Sequence, residues 1–212
     1  MELLHSLLDL ALHLDTHLAD FTLRYGVWVY GLLAVVVFCE TGLVVTPFLP
    51  GDSLLFVVGA LAAGGMIDFS LAALVLFLAA VVGDSVNYAI GNYVGPRIYS
   101  RPDSRWLRQE HLRRTRAFFE RHGGKTIVLA RFVPIVRTFA PFVAGVGTMH
   151  YRRFIVFNVF GAAVWVGLFM TAGLVFGQLP LVKNNLTLIA VGIVVASVLP
   201  LAVQHLRARR AA

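Results

Sequence analysis

Only one cysteine occurs in the chain, Cys39, and it lies inside an apolar run. Neither a disulfide framework nor a cysteine-rich zinc site can be built from it. Charge is scarce as well: Asp, Glu, Lys and Arg make up 14% of the 212 residues, apolar residues make up 58%, and the mean hydropathy is +0.80. A soluble domain carries roughly 25% charged and about 45–50% apolar residues, so the apolar surplus must face something other than water. An ordinary soluble enzyme is excluded. Residues 1–23 contain Glu2, Asp9, Asp15 and Asp20 but no Lys or Arg, so the basic start of a cleaved signal peptide is missing. The net charge of +7 is concentrated between and after apolar segments, which is how orientation signals sit in membrane proteins; no nucleic-acid partner is expected.

What is present is a series of apolar blocks. Residues 1–24 mix leucines with His5, His13, His17 and the acids, the pattern of an amphipathic helix lying in the membrane interface. Segments 67–96, 154–177 and 186–205 each approach the roughly 20 helical residues needed to cross a bilayer. Segment 97–125 is basic, with nine Lys or Arg from Arg97 to Lys125 against three acids, and reads as cytoplasmic. Its Trp106, Leu107, Phe118 and Phe119 suit a surface helix resting on anionic head groups.

Two blocks do not read as simple spans. Block 126–149 contains Arg131, Arg137, Pro134 and Pro141, and each arginine at the centre of a lipid-facing helix would cost about 2.5–3.5 kcal/mol. Basic residues flank it on both sides, so it should enter and turn back, with its prolines breaking the helical hydrogen bonding. Block 25–66 has a similar build, with Glu40 and Asp52 bracketing Pro47 and Pro50-Gly51; its first part, up to Pro47, either turns back or crosses fully. Counting from a cytoplasmic C-terminus with Arg207, Arg209 and Arg210, the first hairpin dips from outside and the second from inside, the inverted-repeat plan of many transporters. The expected fold is therefore a single all-α polytopic membrane domain. It has two opposed re-entrant helical hairpins, about three full transmembrane helices and an N-terminal amphipathic helix.

The polar residues of these blocks carry any chemistry. Arg131 and Arg137 belong to one hairpin tip, and their guanidinium forks match a phosphate better than lysine does; the structural alternative is that they neutralise Glu40, Asp52 or Asp84. A carboxylate at membrane depth must be paired, hydrated or protonated, so Glu40 and Asp52 are candidate proton carriers as well as ion-pair partners. Asp52 is also placed to cap a half-helix starting at Ser53. Asp84, Asn87 and Tyr88 share one helical face and read as supporting groups, while Gly83, Gly91 and Gly95 allow close helix approach. Apart from His13 and His17, no His or Cys pair has metal-ligand spacing, and no cofactor or metal is expected.

Taken in order, these residues form recognisable signatures. They run Glu40-Thr41-Gly42, then Pro47-x-x-Pro50-Gly51-Asp52, then Gly83-Asp84-x-x-x-Tyr88-x-Ile90-Gly91. Arg131-Phe132-x-Pro134-x-x-Arg137-Thr138-x-x-Pro141-x-x-Ala144-Gly145 follows. The series resembles the DedA family of bacterial membrane proteins, within the SNARE-associated or VTT-domain superfamily, from about Tyr25 to Leu206. The resemblance implies an inner-membrane lipid transporter that recycles undecaprenyl phosphate from the outer to the inner leaflet, coupled to proton movement, with Arg131 and Arg137 essential. The alternatives are a flippase or scramblase for a phospholipid such as phosphatidylethanolamine, which one phosphate site would serve equally, and a proton-coupled antiporter of small cations using the carboxylates alone. A membrane phosphatase is disfavoured because no histidine nucleophile accompanies the arginines.

Overall fold

A computed structural model describes residues 22, 24–43, 51–99, 124–147 and 149–179. The expected amphipathic segment 1–24 apart from residues 22 and 24, the tip holding Pro47 and Pro50, most of the basic segment 97–125 and the span 186–205 lie outside them. The described residues are helical, with no strand among them. Their elements are α1 (Trp28–Gly42), α2 (Gly51–Ala63), α3 (Phe69–Tyr99), α4 (Lys125–Ala130), α5 (Pro134–Val146) and α6 (Tyr151–Phe176).

Among the described residues two helices are long and apolar enough to cross a membrane: Phe69–Gly95 of α3, and α6. At 1.5 Å per residue each spans about 40 Å. They are not core helices of a soluble protein, since only 28% and 33% of their most apolar windows are buried. On α3 an exposed stripe of Leu71, Leu74, Leu78, Val82, Val86 and Ile90 repeats every three or four residues, and on α6 Val156, Phe160, Val164 and Leu168 do the same. Meanwhile Glu40, Asp84, Asn87, Arg131, Arg137 and Asn158 are all buried. Apolar surface outside and charge inside is the arrangement that lipid, not water, rewards.

The other apolar elements are short, and local chemistry sets their ends. α2 stops in a turn at Gly64-Gly65-Met66, where Met66 N–H donates to Leu61 O and Gly65 N–H to Ala62 O. Gly65 takes φ +75°, a left-handed conformation that favours glycine. Asp68 then starts α3 by accepting from Leu71 N–H at 2.7 Å. Between α4 and α5 the chain breaks at Arg131-Phe132-Val133, and Pro134 opens α5, where its missing N–H costs nothing. Pro141, expected to help break the block, instead lies inside α5.

The chain divides into two compact units, residues 1–33, 50–75 and 166–212 forming the first and residues 34–49 and 76–165 the second. In the first, α2 packs on the C-terminal half of α6. A Cβ at Gly59 would lie 2.1 Å from Met170 O, one at Gly173 2.0 Å from Phe56 O, and one at Gly177 2.4 Å from Ala60 Cβ. In the second, α5 packs on the C-terminal half of α3. A Cβ at Gly91 would lie 2.1 Å from Phe142 O, one at Gly145 2.2 Å from Tyr88 O, and one at Gly95 3.2 Å from Val146 Cα. These two seams match residue for residue: Phe56-Val57-Val58-Gly59-Ala60 meets Met170, Gly173 and Gly177, and Phe142-Val143-Ala144-Gly145-Val146 meets Tyr88, Gly91 and Gly95. Glycine lets the backbones touch, so each short helix docks by close backbone packing with a long one.

Candidate functional site

The second unit contains a buried polar cluster built from five elements. α1 ends there with Glu40 and Thr41, both fully buried. α3 contributes Asp84 and Asn87, α6 contributes Asn158 and Trp165, and the α4–α5 break brings Arg131 and Arg137 in from either side. Arg131 caps the C-terminus of α4, and Arg137 sits in the first turn of α5. The break separates the two in sequence by six residues, yet both guanidiniums lie against one indole, with Cζ of Arg131 5.7 Å and Cζ of Arg137 5.0 Å from the Trp165 ring centre.

Each arginine meets a different carboxylate. Arg137 Nη2 donates to Glu40 Oε1, and Arg131 Nη2 donates to Asp84 Oδ2. Arg131 Nη2 also donates to Asn158 Oδ1 at 2.5 Å, while Asn158 Nδ2 donates to Val81 O at 3.1 Å. The four charged groups balance, two positive and two negative, which is what allows them to be buried at all. Arg131 is not saturated: its Nε and Nη1 have no hydrogen-bond partner among the described residues. A guanidinium held by one corner, with donors to spare and a flat face on an aromatic ring, is equipped to take an oxyanion.

Asn87 holds the broken helices in register. Its Nδ2 donates to Thr41 O at 3.1 Å and to Thr138 O at 2.8 Å. Thr41 O is one of the last carbonyls of α1, which have no donor within their own helix. Thr138 O is the carbonyl next to that of Arg137, the one that an N–H at position 141 would have met in an unbroken helix. One amide therefore ties α1 and α5 to α3, and the residues it grips directly follow Glu40 and Arg137. Thr41 is pressed against Gly83, where any Cβ would lie 2.0 Å from Thr41 Oγ1, and its hydroxyl donates back to Val37 O at 2.9 Å.

The remaining site residues from the sequence are distributed differently. Tyr88 leaves the face it shares with Asp84 and Asn87: its hydroxyl donates to Met149 O, its ring stacks on Phe154 at 4.5 Å, and it belongs to the apolar core with Ile127, Ala130, Ala140 and Ala144. Asp52 and Gly51 belong to the first unit, at the start of α2, where Asp52 stands in the first turn and is half-buried. Pro47 and Pro50 lie outside the described residues. Asn158 and Trp165 are the two cluster members that the sequence reading passed over. Asn158 had a signal, since an amide flanked by Phe157 and Val159 deep in an apolar span needs a buried partner. Trp165 had none beyond its size.

The chain's likenesses agree with this architecture. The VTT domain matches residues 49–175. The protein DedA of Escherichia coli (strain K12) is 55% identical over 214 residues, covering 100% of this chain and 98% of that one. The inner membrane protein YghB of the same strain is 34% identical over 160 residues, covering 74% of this chain and 72% of its own. An uncharacterized membrane protein of Mycobacterium tuberculosis (strain ATCC 25618 / H37Rv) is 41% identical over 181 residues, 84% of this chain and 79% of its own. No solved structure matches. With its long apolar helices and a full-length relative at more than half identity, the chain is a bacterial membrane protein and belongs to the DedA family of VTT-domain proteins.

Proposed function

We propose that the protein is a lipid transporter that carries undecaprenyl phosphate from the outer to the inner leaflet of the cytoplasmic membrane. The phosphate head group binds Arg131 and Arg137, and the polyprenyl tail stays in lipid. In this reading α1 with α2, and α4 with α5, are opposed re-entrant hairpins, the second of which presents both arginines to the head group. The observation that carries this reading is the buried, charge-balanced pairing of two arginines with Glu40 and Asp84, in which Arg131 keeps unused donors.

An arriving phosphate competes with the carboxylates for the same guanidiniums. Protonation of Glu40 would weaken its pairing with Arg137 and favour the phosphate, which links proton and lipid movement without further machinery. A phospholipid such as phosphatidylethanolamine presents the same phosphate chemistry and is the second reading. Cation antiport is less well supported, because both carboxylates of the cluster are already paired with guanidiniums.

Transport of labelled undecaprenyl phosphate into proteoliposomes, with and without an imposed pH gradient, tests the assignment. Wild type should move the lipid and respond to the gradient, and Arg131→Ala or Arg137→Ala should lose uptake while remaining folded. Undiminished transport by either variant removes the site, and a preference for phosphatidylethanolamine over the monophosphate selects the second reading.

A further inference from the structure

Hydrogen-bond accounting around Arg131 leaves a surplus of both kinds. Nη2 spends its two hydrogens on Asp84 Oδ2 and Asn158 Oδ1, while Nε and Nη1 find no acceptor among the described residues. On the acceptor side, Asp84 Oδ1 and Asn87 Oδ1 find no donor. Asp84 is 3% exposed, Arg131 2% and Asn87 0%, so bulk water does not make good the shortfall. Buried polar atoms left in this state cost about 1–3 kcal/mol each, and a native site that tolerates several is commonly built for something that completes them.

Different species complete the two kinds. The guanidinium donors need an acceptor, and an anionic oxygen is the strongest available. The two acceptor oxygens need a hydrogen. Asp84 and Asn87 lie three residues apart on one face of α3, and a single proton on Asp84 Oδ1 converts the first of these acceptors into a donor. Adding the proton at Oδ1 leaves Oδ2 able to accept from Arg131 while removing the negative charge that competes with an incoming anion. Asn158, a neutral amide, keeps its hold on the same Nη2 and does not cancel the charge of Arg131.

Building on the assignment of Arg131 to phosphate, we propose that Asp84 takes up a proton when an anionic phosphate engages Arg131, so that anion and proton bind together at this cluster. A proton from water adds to Asp84 Oδ1, no bond between heavy atoms changes, and the cluster gains one positive charge against the incoming negative one. The charged groups acting on Asp84 are Arg131 at the α4–α5 break and Arg137 from α5; Glu40 from α1 acts in turn on Arg131, and from α6 the neutral Asn158 holds Arg131 Nη2. With Glu40 on Arg137 and Asp84 on Arg131, these groups are balanced before the ligand arrives, and an anion alone would leave them negative. A zwitterionic head group brings its own cation and needs no proton. The coupling thus distinguishes phosphate monoesters from zwitterionic phospholipids.

The test is titration of the full-length protein in detergent with farnesyl monophosphate, measuring heat in buffers of different ionisation enthalpy so that binding and proton uptake are read together. Wild type should take up about one proton per bound phosphate. Asp84→Asn, which keeps size and shape, should bind with that uptake abolished. Uptake equal to wild type in Asp84→Asn, or phosphate binding by wild type with no uptake, overturns the proposal. Absence of any farnesyl monophosphate binding by wild type overturns the phosphate site itself, a distinct failure. Should Asp84→Asn not fold, infrared difference spectra with carboxyl-13C aspartate decide: a protonated-carboxyl band that appears on phosphate addition, shifts with the label in wild type and no longer shifts with it in Asp84→Glu supports Asp84, and a band absent from wild type or still shifted in Asp84→Glu overturns the proposal.

Discussion

The indole of Trp165 lies 5.0 Å from Arg137 Cζ, and the same ring carries Arg131 on the other side of the α4–α5 break. A fully buried aromatic with two cations on it is a positioning device, because it fixes the planes of both guanidiniums without consuming their hydrogen-bond donors.

Trp165→Leu should therefore affect ligand affinity more than turnover. Losing a desolvated cation–π contact costs about 2 kcal/mol, so KM for transported lipid should rise by roughly tenfold or more, with Trp165→Phe falling between. Initial-rate transport at varied lipid density checks this, and an unchanged KM in Trp165→Leu would show that the ring only fills space.

Glu40 and Arg137 should behave as a pair in stability and not in function. Removing one partner leaves a buried uncompensated charge, at a cost of about 3–5 kcal/mol, whereas Glu40→Gln with Arg137→Gln removes both charges. Thermal unfolding in detergent should show the double variant recovering most of the loss seen in either single variant, while its transport stays absent. Recovery of transport in the double variant would contradict the role given to Arg137.

Asn87→Asp should be as damaging as Asn87→Leu, although it is nearly isosteric. Neither side chain can donate to Thr41 O and Thr138 O as the amide does, so two buried hydrogen bonds between helices are lost, at about 1 kcal/mol each. Hydrogen exchange should show faster opening at the end of α1 and in the middle of α5. Normal protection in Asn87→Asp would mean that the clamp is dispensable.

The two glycine seams predict paired outcomes. Gly91→Ala and Gly173→Ala each drive a methyl to within 2.1 Å of a backbone oxygen, so both should lower the melting temperature markedly. Gly167→Ala meets nothing within 4 Å in the middle of α6 and should be neutral or stabilising by up to about 1 kcal/mol. Equal melting temperatures across the three variants would refute close backbone packing at the seams.

Much of this was legible from hydropathy, because α3 and α6 are long uniform apolar runs and Arg131, Arg137, Glu40 and Asp84 stand out as charges where lipid tolerates none. Which charge meets which was not legible. Arg131 and Arg137 flank a break, so helical periodicity does not relate them, and their partners on α1 and α3 are distant in sequence. Pro141 read as a breaker because proline removes one helical hydrogen bond, and the pattern of one segment cannot show that close packing on α3 keeps α5 continuous through it. The seam repeat was present in the letters but diffuse, since close packing needs glycine at only a few positions and leaves the rest of each helix free to diverge.

The central claim is that a lipid phosphate sits between Arg131, Arg137 and Trp165. Photo-crosslinking with undecaprenyl phosphate carrying a diazirine beside its phosphate tests it directly, with labelled peptides read by mass spectrometry. The predicted adducts fall within residues 125–146 and 158–165, are lost in Arg137→Ala, and are displaced by unlabelled monophosphate. Adducts confined to the exposed stripe of Leu71, Leu74, Leu78 and Val82, and unaffected by Arg137→Ala, would place the head group in bulk lipid and contradict the account.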